Sequence, residues 1–449
     1  MSTIVALSTP PGRSAIAIIR LSGPHSLRMV SDLLKEGTLT LAPRQATLKT
    51  ICDPERGIVL DRVLITTFPA PNSFTGEEMV EISCHGSPII IRWVIDIMLR
   101  SGARLADAGE FTLRALTNGK LDLSQAEAIR DLINAQTDLA ARQAIRQLSG
   151  ELSVRLQPLK DRLIDAIVPL ESAVEFVEDD LPKLQAVEVV KQLKSVVSEL
   201  NKLAASFSAG HWLRDGIKVT IVGRPNVGKS SLFNGLLRRE RAIVTSVPGT
   251  TRDTLSETIN IGGVPVSLTD TAGVRGTPDA IESIGIHRAQ QAIVDADLVL
   301  LVVDGSEGFN DDDLDVFSRA RDSRYLVVVN KSDLPDFKPD VPGVGPEAIS
   351  VSALTGNGLD ELSGAIIRRL GVVDSEREGL LITDARHYDL LQKSIEQIEA
   401  AILHLKERAS EELVLVGLHN ALTLLGAITG ETTTEDILSE IFSTFCIGK

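Results

Sequence analysis

Directly after the apolar run Ile217-Lys-Val-Thr-Ile-Val222 the chain reads Gly223-Arg-Pro-Asn-Val-Gly-Lys-Ser-Ser231. This is the spacing GxxxxGK[ST], and it works only between a strand and a helix. The glycines let the backbone curl so that successive N–H groups, through Asn226, Val227 and Gly228, converge on a phosphate, and the following helix adds its positive N-terminal end. The same spacing sends Lys229 to the β- and γ-phosphates and the Ser230 hydroxyl to Mg²⁺, with Ser231 beside it. It therefore predicts an α/β phosphate-binding domain, which glycine usage and short β-rich runs place at residues 216–371.

Three further signatures follow in order, each at the end of an apolar run. Asp270-Thr271-Ala272-Gly273 closes the run from Val264 to Leu268; the Asp can hold Mg²⁺ through water and the Gly273 N–H can meet the γ-phosphate. Asn330-Lys331-Ser-Asp333 follows Tyr325–Val329, and the Asp333 carboxylate can accept from N1–H and the 2-amino group of guanine. Adenine lacks that donor pair and would leave a buried acceptor unpaired. Ser352-Ala353-Leu354 fits the loop that supports the base. Together they specify a guanine-nucleotide site.

The intervening Thr250-Thr251-Arg252-Asp253 lies where a switch segment carries a Mg²⁺-binding threonine, and Thr251 is assigned that role over a plain Thr-rich turn after Pro248-Gly249. Position 274 is valine, where many GTPases carry the glutamine that orients water. Either hydrolysis is poor or another residue positions the water. Glu282 is the catalytic candidate; the alternative is an exposed glutamate on the next helix.

With 449 residues the chain is too long for one core and suggests about three domains. Residues 1–118 read as α+β, with strands at Ala15–Leu21 and Arg62–Phe68 and a helix opened by Pro88 and running to Arg100. No glycine occurs between Gly150 and Gly210, and Leu152, Leu156, Leu159, Leu163, Ile167 and Leu170 draw one helical apolar stripe, with Pro158 and Pro169 expected to kink or break it. Residues 380–449 are helical again. The simplest account is an α/β P-loop GTPase domain inserted into an all-α helical domain with halves 119–210 and 380–449.

Charge and cysteine content narrow the class. A net charge of −15 argues against strong autonomous grip on nucleic acid, and the densest basic cluster, Arg238-Arg-Glu-Arg241, reads as a solvated helix end. Three scattered cysteines imply no disulfide framework. The opening residues lack an export pattern, and no run approaches the ~20 apolar residues of a membrane span. A reducing, cytoplasmic location is expected.

The P-loop sequence, Pro248-Gly-Thr-Thr-Arg-Asp253, Asp270-Thr-Ala-Gly273 and the tail Phe445-Cys-Ile-Gly-Lys449 resemble the MnmE (TrmE) family of tRNA-modification GTPases. Thr9-Pro-Pro-Gly-Arg13, Asn72-Ser-Phe-Thr-Gly-Glu77 and Lys120-Leu-Asp-Leu-Ser-Gln-Ala-Glu-Ala128 match the same family, so the likeness covers the chain. It implies that Thr245, Ser246, Val247, Pro248, Gly249 and Thr250 line the nucleotide. It further implies K⁺ held by Asn226 and carbonyls of Thr245, Val247 and Thr250, with two G domains of a homodimer face to face and Glu282 ordered as each switch closes.

For the N-terminal domain the resemblance implies a folate-binding fold that also dimerises. The residues carried over are Arg20, Glu81, Lys120 and Lys449, taking 5-formyltetrahydrofolate or 5,10-methylenetetrahydrofolate. Glu81 suits the donor edge of a pterin, while Arg20 or the lysines suit carboxylates. Cys84-His85 lacks partners at zinc-ligand spacing, and Cys446 is either a reactive thiol near the folate or a buried small hydrophobe. The implied activity, with the flavoprotein MnmG, is carboxymethylaminomethyl or aminomethyl addition at C5 of wobble uridine 34, tRNA being bound mainly through the complex. The alternative is a ribosome-assembly GTPase of the Era/EngA type, which would normally append a basic RNA-binding domain.

Overall fold

The computed structural model describes residues 2–34, 41–175, 183–240, 256–270, 290–339, 348–371, 379–407 and 409–448. Packing divides the chain into two compact units. The first takes Met1–Ile133, Gln147–Asp161 and Leu422–Lys449; the second takes Asn134–Arg146 and Arg162–Ala421.

The first unit is built on a six-stranded sheet of β1 (Ile4–Leu7), β2 (Ser14–Ser22), β3 (Thr47–Cys52), β4 (Val59–Phe68), β5 (Met79–Gly86) and β6 (Arg104–Leu105). The strand order is β3-β4-β5-β2-β1-β6, antiparallel except for the parallel β1–β6 pair. Side chains alternate across each strand. Ala17, Ile19 and Leu21 of β2, Val63 and Ile65 of β4, and Val80 and Ile82 of β5 share a core with Val94, Ile97 and Met98 of the Pro88–Arg100 helix. Pro88 opens that helix, where its missing N–H costs nothing. Period two then sends Arg20 and Glu81 to the other face, and the β2–β5 register sets them directly opposite.

The C-terminal tail returns to this unit. Ile447 forms a β-bridge with Ala108, the Ser8 hydroxyl donates to Gly448 O at 3.1 Å, and Phe442 and Phe445 pack with Leu123 and Ala126.

The second unit carries a six-stranded sheet of β7 (Ile217–Val222), β8 (Ser256–Ile261), β9 (Val264–Asp270), β10 (Leu298–Asp304), β11 (Tyr325–Asn330) and β12 (Ile349–Ser350). The order is β12-β11-β10-β7-β9-β8, all parallel save the β8–β9 hairpin. Strands buried on both faces read as continuous apolar runs, as Leu298–Val303 does. Two covalent connections lead into and out of this sheet, and they are tied together. The helix Phe207–Asp215 runs into β7, and its Arg214 Nη1 donates to Asp384 Oδ2 at 2.5 Å on the outgoing segment. The Ser206 hydroxyl accepts from Ile382 N at 3.0 Å.

Two expectations about the helices are corrected. Glu151–Glu175 is one continuous helix, so of the kink or break expected at Pro158 and Pro169 the break does not occur. Burial of Leu152, Leu156, Leu159, Leu163, Ile167 and Leu170 along one stripe outweighs the lost backbone bonds. The Glu411–Thr429 helix is, contrary to the sequence reading, long and apolar enough to cross a membrane by length and composition. Its Val414, Leu418, Ala421, Leu425 and Ile428 are buried at steps of four and three, the one-sided stripe of a helix packed in a bundle.

Candidate functional site

Four loops at the carboxyl edge of the second sheet converge, at the place where open parallel sheets hold ligands. After β7 the chain turns through Asn226 (φ 67°) and Gly228 (φ 95°), and the Lys229–Arg239 helix begins. Gly228 answers a steric demand as well as a dihedral one: a Cβ there would lie 2.3 Å from Asn330 Nδ2. The Asn330 side chain uses this closeness. It donates to Val227 O at 2.8 Å and accepts from Ala353 N at 3.0 Å, stitching three loops together while wholly buried.

Gly223, Pro225, Asn226, Gly228, Lys229, Ser230 and Ser231 line a cavity of about 640 Å³. Lys229 Nζ lies across the loop, donating to Gly223 O and Arg224 O, both at 2.8 Å. Burial pushes its pKa below the ordinary lysine value, opposed by the charge of Asp270. The Ser230 hydroxyl donates to Asp270 Oδ2 at 2.7 Å, because the parallel β7–β9 register sets Asp270 beside Ile221. Two hard oxygen donors side by side beneath a phosphate cradle suit Mg²⁺.

At the far end, the Ser352 hydroxyl donates to Asp333 Oδ1 at 2.5 Å, which fixes the carboxylate proposed to read guanine. Leu354 is exposed beside it. Lys331 adopts φ 69° and pairs with Asp304 Oδ2. Burial alone would raise the Asp304 carboxyl, but hydrogen bonds from Lys331 and Ser306 outweigh it and hold it below the usual carboxylate range.

Sequence reading missed Asp304, although an acid closing a buried apolar strand is the same signal that marked Asp270. It also missed Arg224. That side chain leaves the P-loop to pair with Asp313 at 3.2 Å and Glu307 at 2.7 Å, charges brought from β10's following loop and helix by the fold alone. Thr245, Ser246, Val247, Pro248, Gly249, Thr250, Thr251, Thr271, Ala272, Gly273 and Glu282 lie outside the described residues, as does Lys449.

In the first unit, Arg20, Glu81 and Lys120 line one cavity of about 770 Å³ together with Arg44, Phe74 and Ile133. Arg20 is engaged with Glu81, and its guanidinium carbon sits 5.6 Å from the Phe74 ring centre. Cys84 is buried, its thiol pushed up to about 11 by burial and the nearby Asp61 charge. His85 Nδ1 pairs with Asp61 at 2.7 Å. Cys446 is exposed, so the buried-hydrophobe reading of that residue does not hold.

Comparison with known proteins extends over the same ground. A family model described as the MnmE helical domain matches residues 123–446, and one described as the GTP-binding protein TrmE N-terminus matches residues 3–120. The tRNA modification GTPase MnmE of Koribacter versatilis is 45% identical over 450 residues, covering 100% of this chain and 99% of its own. That of Aquifex aeolicus is 44% identical over 447 residues, covering 99% of each. Among solved structures, Aquifex aeolicus Era bound to GDP·AlF₄⁻ is 26% identical, with a TM-score of 0.28 over 40% of this chain and 66% of its own. With both family models and full-length relatives matching it from end to end, the chain belongs to the MnmE (TrmE) family of tRNA modification GTPases.

Proposed function

We propose that this protein hydrolyses GTP to drive tRNA modification, working with MnmG to add a carboxymethylaminomethyl or aminomethyl group to C5 of wobble uridine 34. The convergence of Lys229, Ser230, Asp270, Asn330 and Asp333 carries the reading. Lys229 meets the β- and γ-phosphates, the P-loop N–H groups cradle them, and Asp333 selects guanine, steadied by Ser352. Ser230, with Thr251 and Asp270, holds Mg²⁺, which neutralises phosphate charge when bound. Asn226, with Thr245, Val247 and Thr250, holds K⁺, placing positive charge where an arginine finger acts in other systems. Glu282 polarises the attacking water in place of the glutamine that Val274 replaces.

The folate cavity around Arg20, Glu81 and Lys120, with Lys449, supports the modification reading, since a tetrahydrofolate supplies the one-carbon unit. The protein acts as a cytoplasmic homodimer, with tRNA bound mainly through the MnmG complex, as the net charge of −15 favours. Mass spectrometry of tRNA nucleosides from cells with and without the gene tests it. Loss of the C5-modified wobble uridines is expected on deletion; an unchanged nucleoside profile sinks the proposal.

A further inference from the structure

The first unit's cavity is unevenly charged. Among the described residues, Arg20, Arg44 and Lys120 line it against a single carboxylate, Glu81. Arg20 is already committed, since its Nε and Nη2 both donate to Glu81 Oε1, at 2.9 and 2.8 Å. Phe74 and Phe111 flank the guanidinium at 5.6 and 5.7 Å and hold it there. Two donors on one oxygen leave Glu81 Oε2 to accept from a ligand, and among the described residues only Arg20 donates to this carboxylate. Arg20 therefore orients Glu81 and is not the cation for a ligand's anionic group.

Of the described cations lining the cavity, Arg44 and Lys120 remain. Among the described residues neither has a carboxylate partner, and the cavity wall beside them is apolar, with Phe68, Met79 and Leu132. Arg44 is also the one with a conformational signature. It is a non-glycine residue at φ 61°, in a region that glycine or asparagine would occupy at lower cost. Its backbone N–H donates to Thr67 O at 2.8 Å, and its Nη2 donates to Asn72 O at 2.9 Å. The main chain thus pins an arginine, left-handed, at the cavity wall, with the rest of its planar donor fork uncommitted. Unusual dihedrals persist where the surroundings enforce them, often at ligand sites.

A carboxylate acceptor, an apolar wall and two unpaired cations call for a ligand with a planar donor-edged ring and an anionic tail. About 770 Å³ is ample for such a molecule. We propose that Arg44 is a specificity-determining residue that reads the tail carboxylates of the ligand held in this cavity. The inference rests on the folate reading above and assigns the glutamyl tail to Arg44, with Lys120 the second uncommitted cation of the cavity. An arginine fork matches a carboxylate bidentately, which a lysine does not.

The test is calorimetric titration of the full chain, unsubstituted and as Arg44→Met, with 5-formyltetrahydrofolate and with 5-formyltetrahydropteroate, which lacks the glutamate. The unsubstituted protein should bind the folate about tenfold more tightly than the pteroate, the size of one charge-assisted contact. Arg44→Met should remove that preference and leave pteroate affinity unchanged, and raised salt should shrink it in the unsubstituted protein alone. Equal affinity of the unsubstituted protein for both ligands overturns the assignment to Arg44 without touching folate binding, and so does an equal loss for both in the variant. Failure of the unsubstituted protein to bind either ligand overturns the folate reading itself, and this proposal with it.

Discussion

Asp304 ends a strand whose other residues are all buried and apolar, and its carboxylate is almost fully enclosed. It restrains the base loop through Lys331, one residue from the stitching Asn330. Because its folded carboxyl titrates below 3.8, the pairing adds stability that is fully present above that pH and is lost as pH falls through the folded pKa. Asp304→Asn should therefore lower the melting temperature near neutrality and flatten its acid limb. The expected cost is ~1–3 kcal/mol, less than for a fully buried pair because Lys331 is partly solvated. Melting curves from pH 3 to 7 check it, and an unchanged acid limb contradicts it. Residues of this kind were hidden in the sequence for a definite reason. Lys229, Asp270 and Asp333 sit in motifs whose chemistry fixes their spacing, whereas Asp304 and Arg224 gain meaning only from partners that the fold brings near.

Among the elements, those with a clean period were legible. The Pro88–Arg100 helix was readable from its opening proline and apolar stripe, and β11 from five consecutive strand formers. The two-residue strand β6 carries too few side chains to show any period. The 25-residue helix through Pro158 and Pro169 was legible from its apolar stripe, and only the break allowed for at its prolines did not occur, since burial along the stripe outweighs local propensity. The Phe207–Asp215 helix shows the same contest in reverse. Gly210 sits inside it, where alanine would ordinarily add up to ~1 kcal/mol. Yet a Cβ there would lie 2.1 Å from Ile382 O, on the outgoing connection that Arg214 and Ser206 also grip. Gly210→Ala is expected to destabilise the second unit by ~1–3 kcal/mol, the range for overpacking. Denaturant unfolding followed near Trp212 would show this; a gain in stability would mean the two segments separate freely.

At the scale of the whole molecule, the loops that follow β7, β11 and β12 were legible in the sequence because each carries its own motif, and the described residues Lys229, Asn330 and Ser352 lie at one edge of the sheet. The cavity proposed to take a folate was not. Its walls come from β2, β4, β5 and the Leu123–Asn134 helix, and the pairing of Arg20 with Glu81 depends on a strand register that no local pattern announces. Truncation after Thr444 removes Phe445, the Ile447 bridge and the Gly448 contact, all within the first unit. It should lower that unit's unfolding temperature and weaken 5-formyltetrahydrofolate binding while leaving GDP affinity within about twofold, as expected for sites that share no residues. Scanning calorimetry with nucleotide titration decides it, and loss of GDP binding would contradict the separation. The returning tail also sets an order of events during synthesis. The strands β7–β12 are all translated before residue 351, so the nucleotide domain can fold while the ribosome is still elongating. The sheet core of the N-terminal unit is drawn from residues before 104 and can close early, but Phe442 and Phe445 reach Leu123 and Ala126 only after the nucleotide domain has been translated. That small apolar seam is thus the last contact of the oldest unit to form, and until the tail arrives Leu123 and Ala126 stay open to chaperones and proteases.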